Sequence, residues 1–190
     1  MACYSSGMSV VRLLVLGSIR RKQPAHGYRV LSDMKKWQVQ TWTTVQPGSI
    51  YHAVSQLEKQ GFLKHTNHTE SKKLGPAKSE YTITAAGERE FLSLLKASLL
   101  SFNIEQQSAG IAFMEFLTRE EVVSLLLKRS DELRKVPKFL ATLPVSNTPN
   151  EPSEHPELVN TWTAYLNDIA NNTDQMKNRI QSGAYKFKGE

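Results

Sequence analysis

The 190 residues contain a single cysteine, Cys3. Neither an intramolecular disulfide nor a Cys-based zinc site can therefore form within one chain, and the reducing cytoplasm is the expected setting. Long apolar runs are absent too. The most apolar stretch, Val10 to Ile19, is interrupted by Arg12 and followed by Arg20, Arg21 and Lys22. It is too short to span a bilayer, and its charge follows the apolar residues, the reverse of a signal peptide. A soluble chain with no membrane partner is expected. No Gly-rich loop of the phosphate-cradling kind is present, and Cys3 has no base placed beside it to make it a nucleophile. His65 and His68 have a short, ligand-like spacing, but an odd separation on a regular strand sends them to opposite faces, and only a bulge would bring them together. Glu151, Glu154, His155 and Glu157 cluster in a Pro-rich stretch that reads as a solvated loop. Nothing here assembles an enzyme: no catalytic residue, metal site or cofactor is expected.

Charge is present, and it is uneven. Residues 1–90 carry 13 Lys or Arg against 6 Asp or Glu, net +7, whereas residues 91–190 carry 11 against 12, net −1. Neutralising a polyanion needs cations clustered on one module, so the asymmetry fits a nucleic-acid-binding first half joined to a neutral second half. A basic surface without a ligand has the same composition, and the choice between them passes to the motifs.

Hydrophobic spacing divides the chain into helices. Val10, Val11, Leu13, Leu14, Val15, Leu16 and Ile19 cover almost the whole circumference of a first helix, which must be buried on more than one side; an intersubunit contact would supply the second. A shorter helix over His26 to Trp37 places Val30, Met34 and Trp37 on one face, with Lys35 and Lys36 in its last turn. Pro47 suits the first turn of a third helix. Ile50, Val54 and Leu57 form its inner stripe, and Gly61 stands where a left-handed residue ends it. Its opposite face carries Ser49, His52, Gln56 and Lys59.

Two strand-like segments follow, Phe62 to Thr69 and Glu80 to Thr84, around a tip holding Lys72, Lys73, Gly75, Pro76 and Lys78. Thr84 is placed to cap a fourth helix with Leu92, Leu95, Leu99 and Phe102 at coiled-coil-like spacing. Thr118 and Glu121 form a capping box for another helix, bearing Val122, Leu125, Leu126, Leu133 and Val136, which Pro137 should end or kink. Residues 144–156 hold four of the eight prolines and read as a loop. A last helix strings Leu158, Trp162, Tyr165, Ile169, Asn172, Met176 and Arg179 along one seam, which packs either on the preceding helix or on a second chain. The expected fold is mainly α with a small β-hairpin wing: an N-terminal winged helix-turn-helix, residues 1–92, and a C-terminal helical dimerisation domain, residues 93–190.

Three helices and a basic hairpin set a physical requirement for reading DNA. The outer face of the third helix must offer groups that meet base edges in the major groove, and Ser49, His52 and Gln56 do. Gly48 and the backbone N–H groups of the helix start can approach a phosphate closely. The rival reading, a protein-interaction module, accounts less well for the basic tip and polar helix.

The runs His26-Gly27-Tyr28, Pro47-Gly48-Ser49-Ile50-Tyr51, Leu57-Glu58-Lys59-Gln60-Gly61-Phe62-Leu63 and Tyr81-Thr82-Ile83-Thr84-Ala85-Ala86-Gly87, in this order over residues 10–92, resemble the PadR family of regulators. The resemblance implies a homodimeric repressor or, less often, an activator of transcription, with intertwined C-terminal helices. It implies double-stranded DNA as partner, contacted by Tyr28, Gly48, Ser49 and Tyr51 and by the wing lysines Lys72, Lys73 and Lys78. The longer second half resembles the larger subfamily, with its extra C-terminal helices. The wing departs from the common pattern: Lys78, Ser79 and Glu80 stand where an arginine-rich stretch usually precedes the tyrosine. Tyr28 and Tyr51 serve either as phosphate contacts or as core aromatics; Gly27 and Gly87 are read as packing requirements. From the family also comes release by a small aromatic effector, with Phe102, Phe113 and Trp162 as lining candidates or else core residues. A two-fold dimer would read an inverted repeat, its half-sites about 10 base pairs apart.

Overall fold

The computed structural model describes residues 6–66 and 79–190. The hairpin tip with Lys72, Lys73 and Lys78 lies outside the described residues, as do Cys3 and His68. Seven α-helices and three short strands make up the described chain: α1 Ser6–Arg21, β1 Ala25–His26, α2 Gly27–Lys36, α3 Pro47–Lys59, β2 Leu63–His65, β3 Glu80–Ile83, α4 Ala85–Leu100, α5 Ile104–Ile111, α6 Arg119–Leu140 and α7 Pro156–Gln181. Packing divides the chain into two compact units, Met1–Phe113 and Met114–Glu190.

In the first unit the helices start and stop where local chemistry permits. Pro47 occupies the first turn of α3 behind Gln46, whose backbone is extended. At the other end Gly61 takes φ +77°, and the Phe62 N–H reaches back to the Leu57 carbonyl at 2.9 Å, the closure that a left-handed residue permits. Thr84 caps α4 by accepting the Gly87 N–H at 3.0 Å. Gly87 then passes so near the chain at Phe62 that a methyl group there would overlap the Phe62 carbonyl oxygen. The sequence pattern predicts two strands; the sheet has three, in the order β1-β3-β2, all antiparallel. Ala25 lies opposite Tyr81 on one side of β3, and His65 opposite Tyr81 on the other. A two-residue strand carries no periodicity, which is why β1 is silent in the sequence.

The all-round apolar α1 is the centre of this unit. Leu13, Leu14, Val15, Leu16 and Ile19 are fully buried, and the helix is surrounded by α2, α3, α4, α5 and β3 of its own chain. Its second side is thus covered without another subunit, contrary to expectation: α5 packs there, and with Gln106, Gln107 and Ser108 it shows little apolar stripe in the sequence. The α4 stripe also lies one position round from its expected place. Phe91, Leu94, Leu95 and Leu99 are buried, Leu92 is half-buried and Phe102 exposed.

The second unit is built on the antiparallel-spaced pair α6 and α7, joined by the Pro-rich loop. The capping box at α6 forms as expected, with Glu121 N–H to Thr118 Oγ1 at 3.2 Å and Thr118 N–H to Glu121 Oε2 at 3.0 Å. Pro137 does not end α6, which runs on to Leu140; the ladder resumes with Ala141 N–H to the Pro137 carbonyl at 3.0 Å. On α7 the buried residues are Leu166, Ala170, Thr173, Met176 and Ile180, a stripe centred roughly 60° round the helix from the expected seam at 3.6 residues per turn. Leu166 and Ala170 pack on Leu133. Arg129, 2% exposed, donates to Thr173 Oγ1 across this contact; burial lowers its pKa, as expected for a cation removed from water. Arg134 and Asp174 pair at 2.7 Å nearer the surface.

Candidate nucleic-acid interface

The two faces of α3 are chemically opposite. Ile50, Ala53, Val54 and Leu57 are buried against the unit's core, whereas Gly48, His52 and Lys59 are exposed and Ser49, Tyr51 and Gln56 half-buried. This is the consequence of apolar residues at a 3.6-residue period. It leaves imidazole, amide, hydroxyl and ammonium groups along one helical edge, the inventory that donates to and accepts from base edges. A Cβ on Gly48 would meet nothing within 4 Å, so the start of α3 is open to approach. Ser49 Oγ donates to the Gln46 carbonyl at 2.6 Å, orienting its hydroxyl along the first turn.

Several contacts fix α3 in its unit. Arg12 on α1, 7% exposed, donates to Gln60 Oε1 at 2.7 Å and to Glu90 Oε1 at 2.9 Å, and its guanidinium lies over the Phe62 ring at 5.4 Å. Ser18 Oγ donates to the buried Asp33 at 2.8 Å, tying α1 to α2. At the sheet end His65 Nε2 lies 2.6 Å from Glu58 Oε1 on α3, and its ring packs on Tyr81 at 4.8 Å. Tyr81 is buried; desolvation first, then the charge of Glu58, raise its pKa above 10.0, against a lowering hydrogen bond with Ser79.

Tyr28 is not a core aromatic: it is 56% exposed and stacks on His26, with centroids 5.1 Å apart and planes 17° apart. His26 in turn lies 3.2 Å from Glu80 Oε1. Glu80 is far from His26 and Tyr28 in sequence, so their spacing does not announce this triplet, which pairing of β1 with β3 brings together. Lys64, exposed between Leu63 and His65, is a further cation at the base of the hairpin that spacing alone did not single out.

The aromatic candidates separate. Phe113 is fully buried, with Trp37 and Phe91 edge-on at 5.6 and 5.9 Å, and Arg21 lies over both Phe113 and Trp37 at 5.1 Å; it is a core residue. Phe102 is exposed at the end of α4. In the second unit Trp162, edge-on to Tyr165 at 5.8 Å, walls an open groove of about 690 Å³ with Leu158, Pro149 and Pro152.

Residues 15–93 match the Transcriptional regulator PadR-like family. They form a PadR-like domain. Its span takes in the second part of α1, all of α2, α3 and the three strands, and the first part of α4. No curated protein matches the chain. Among solved structures it is similar to one titled "Crystal structure of Bacillus subtilis PadR in complex with operator DNA", with 20% identity over 90% of this chain and 99% of that one, at a TM-score of 0.37. Outside the PadR-like domain, no described helix is long and apolar enough to cross a membrane, nor is one inside it.

Proposed function

We propose that this chain is a cytoplasmic, homodimeric repressor that binds an inverted-repeat operator in double-stranded DNA, with residues 1–92 as the reading head and residues 93–190 as the dimerising part. The observation that carries the reading is the polar outer edge of α3 within a PadR-like domain. In this reading His52 and Gln56 contact base edges, while Gly48, Ser49, Tyr51, Tyr28 and Lys59 meet the sugar-phosphate backbone. Lys72, Lys73 and Lys78 on the hairpin add phosphate contacts. The dimer reading is supported by an apolar face of α7 that its own unit leaves open: Leu158, Trp162 and Tyr165 are 43%, 49% and 45% exposed. A small aromatic effector would seat at the Trp162 groove and favour one spacing of the two heads over the other, since only differential affinity shifts such an equilibrium.

Two sets of substitutions test the assignment. Lys72→Ala with Lys73→Ala should weaken binding to every DNA sequence and reduce the salt slope by about 1 to 2. His52→Ala or Gln56→Ala should change which base is preferred, by about 1–3 kcal/mol per lost contact. The same sequence-independent loss from both sets, in binding isotherms against operator and single-base variants, would contradict the placement of helix and wing.

A further inference from the structure

Beneath the start of α3 lies a cavity of about 220 Å³, bounded by the second half of α2, the turn after it and the first residues of α3. Its floor is aliphatic: Met34, Val39 and Ile50 are 5%, 2% and 1% exposed. Its rim is polar, with Lys35, Gln40 and Gln46 all exposed, and Lys35 is the one charged residue that lines it. Gln46 caps α3 by position only; its side chain makes no cap hydrogen bond, and its amide nitrogen reaches no nearer than 3.5 Å to the Thr44 carbonyl. The turn itself is built on Gln38 in the left-handed region, φ 50° and ψ 44°.

The pocket is part-open to solvent past this rim, yet its floor offers none of the two to four polar partners that an ordered water needs. It is suited to an apolar body. No aromatic ring lines it, and its walls are branched or flexible aliphatic side chains, so an alkyl chain fits better than a flat ring. A methylene is about as bulky as a water, which takes about 30 Å³ in the liquid, so the space takes roughly seven such groups. The rim ammonium and two amides then call for an anionic, hydrogen-bonding head. We propose that this cavity binds an aliphatic carboxylate of about six to eight carbons, its chain on Met34, Val39 and Ile50 and its carboxylate at Lys35 and Gln46, and that occupancy lowers the affinity of α3 for DNA. The second half rests on the DNA-reading role proposed above. It follows from position: Ile50 is flanked on α3 by Ser49 and Tyr51, and a carboxylate at the Gln46 rim sets negative charge beside the end of α3 that phosphate would approach.

The site is tested without DNA, by methyl NMR spectra of the full chain titrated with butanoate, hexanoate, octanoate and decanoate. Saturable shifts of the Met34, Val39 and Ile50 methyls are expected, with affinity rising about fourfold per added methylene and passing a maximum near eight carbons. Shifts that do not saturate, no shifts, or affinity that still climbs at decanoate would overturn the site. Lys35→Gln should weaken octanoate several-fold and leave 1-octanol unchanged; equal weakening of both would overturn the assignment of the head group. Coupling is read separately from the DNA affinity of the wild-type chain with and without octanoate. An unchanged affinity under conditions where the methyls have shifted would overturn the coupling while the site stands. Loss of all specific DNA binding would instead remove the DNA-reading role, with the methyl titration still deciding the site.

Discussion

At the scale of single residues, the most informative group is Tyr81 with its neighbours His65 and Glu58. Tyr81 stands on the central strand between β1 and β2 and is buried. Strand spacing does not reveal its coupling to α3: His65 and Glu58 meet at 2.6 Å, and Glu58 adds to burial in holding the phenol above its ordinary 10.0. A raised folded-state pKa means that the stability drawn from neutral Tyr81 is complete below about pH 10 and is lost as pH rises through the raised value. Tyr81→Phe keeps the ring and removes the titration. Urea unfolding at pH 9 and pH 11 should therefore show a larger drop in stability for the wild type than for Tyr81→Phe; equal drops would contradict the assignment. Tyr28 gives the opposite lesson. Its exposure and its stack on His26 arise from a strand only two residues long, which no pattern in the sequence announces.

At the scale of elements, legibility followed the strength of the local signal. The ends of α3, the cap of α4 and the capping box of α6 were all readable, because each depends on one or two side chains acting over three or four residues. Stripe directions were less so. On α7 two apolar stripes lie side by side, and residues 158, 162 and 165 form the more regular one although residues 166, 170 and 173 are those that pack. Periodicity identifies an apolar face; it does not say which neighbour covers it. Pro137 does not end α6, since one backbone bond is lost there and the helix runs on for three residues to Leu140. Gly87 was read as a packing requirement, and the approach of α4 to the Phe62 carbonyl gives the reason. Gly87→Ala should destabilise the chain by about 2–3 kcal/mol through overpacking, measured by urea unfolding. A cost below about 0.5 kcal/mol would show that α4 can shift freely.

At the scale of the whole molecule, the charge asymmetry is the feature that composition displayed most clearly: net +7 over residues 1–90 and −1 beyond. It accords with a PadR-like domain in the first half and leaves the second half near neutral. Self-association of that half has its own test. Leu158→Glu with Trp162→Glu should turn a dimer into a monomer in sedimentation equilibrium, with the helical circular dichroism of α6 and α7 retained. A wild-type chain that sediments as a monomer at tens of micromolar would contradict the dimer.

The central claim is sequence-specific DNA binding, and the most direct measurement is fluorescence anisotropy of the purified chain with labelled DNA from upstream of its own gene, over a range of salt concentrations and against scrambled competitor. Tight binding that survives the competitor and weakens steeply with salt is the predicted result. Binding no stronger than to the scrambled DNA, there and in fragments selected from random sequence, would contradict it.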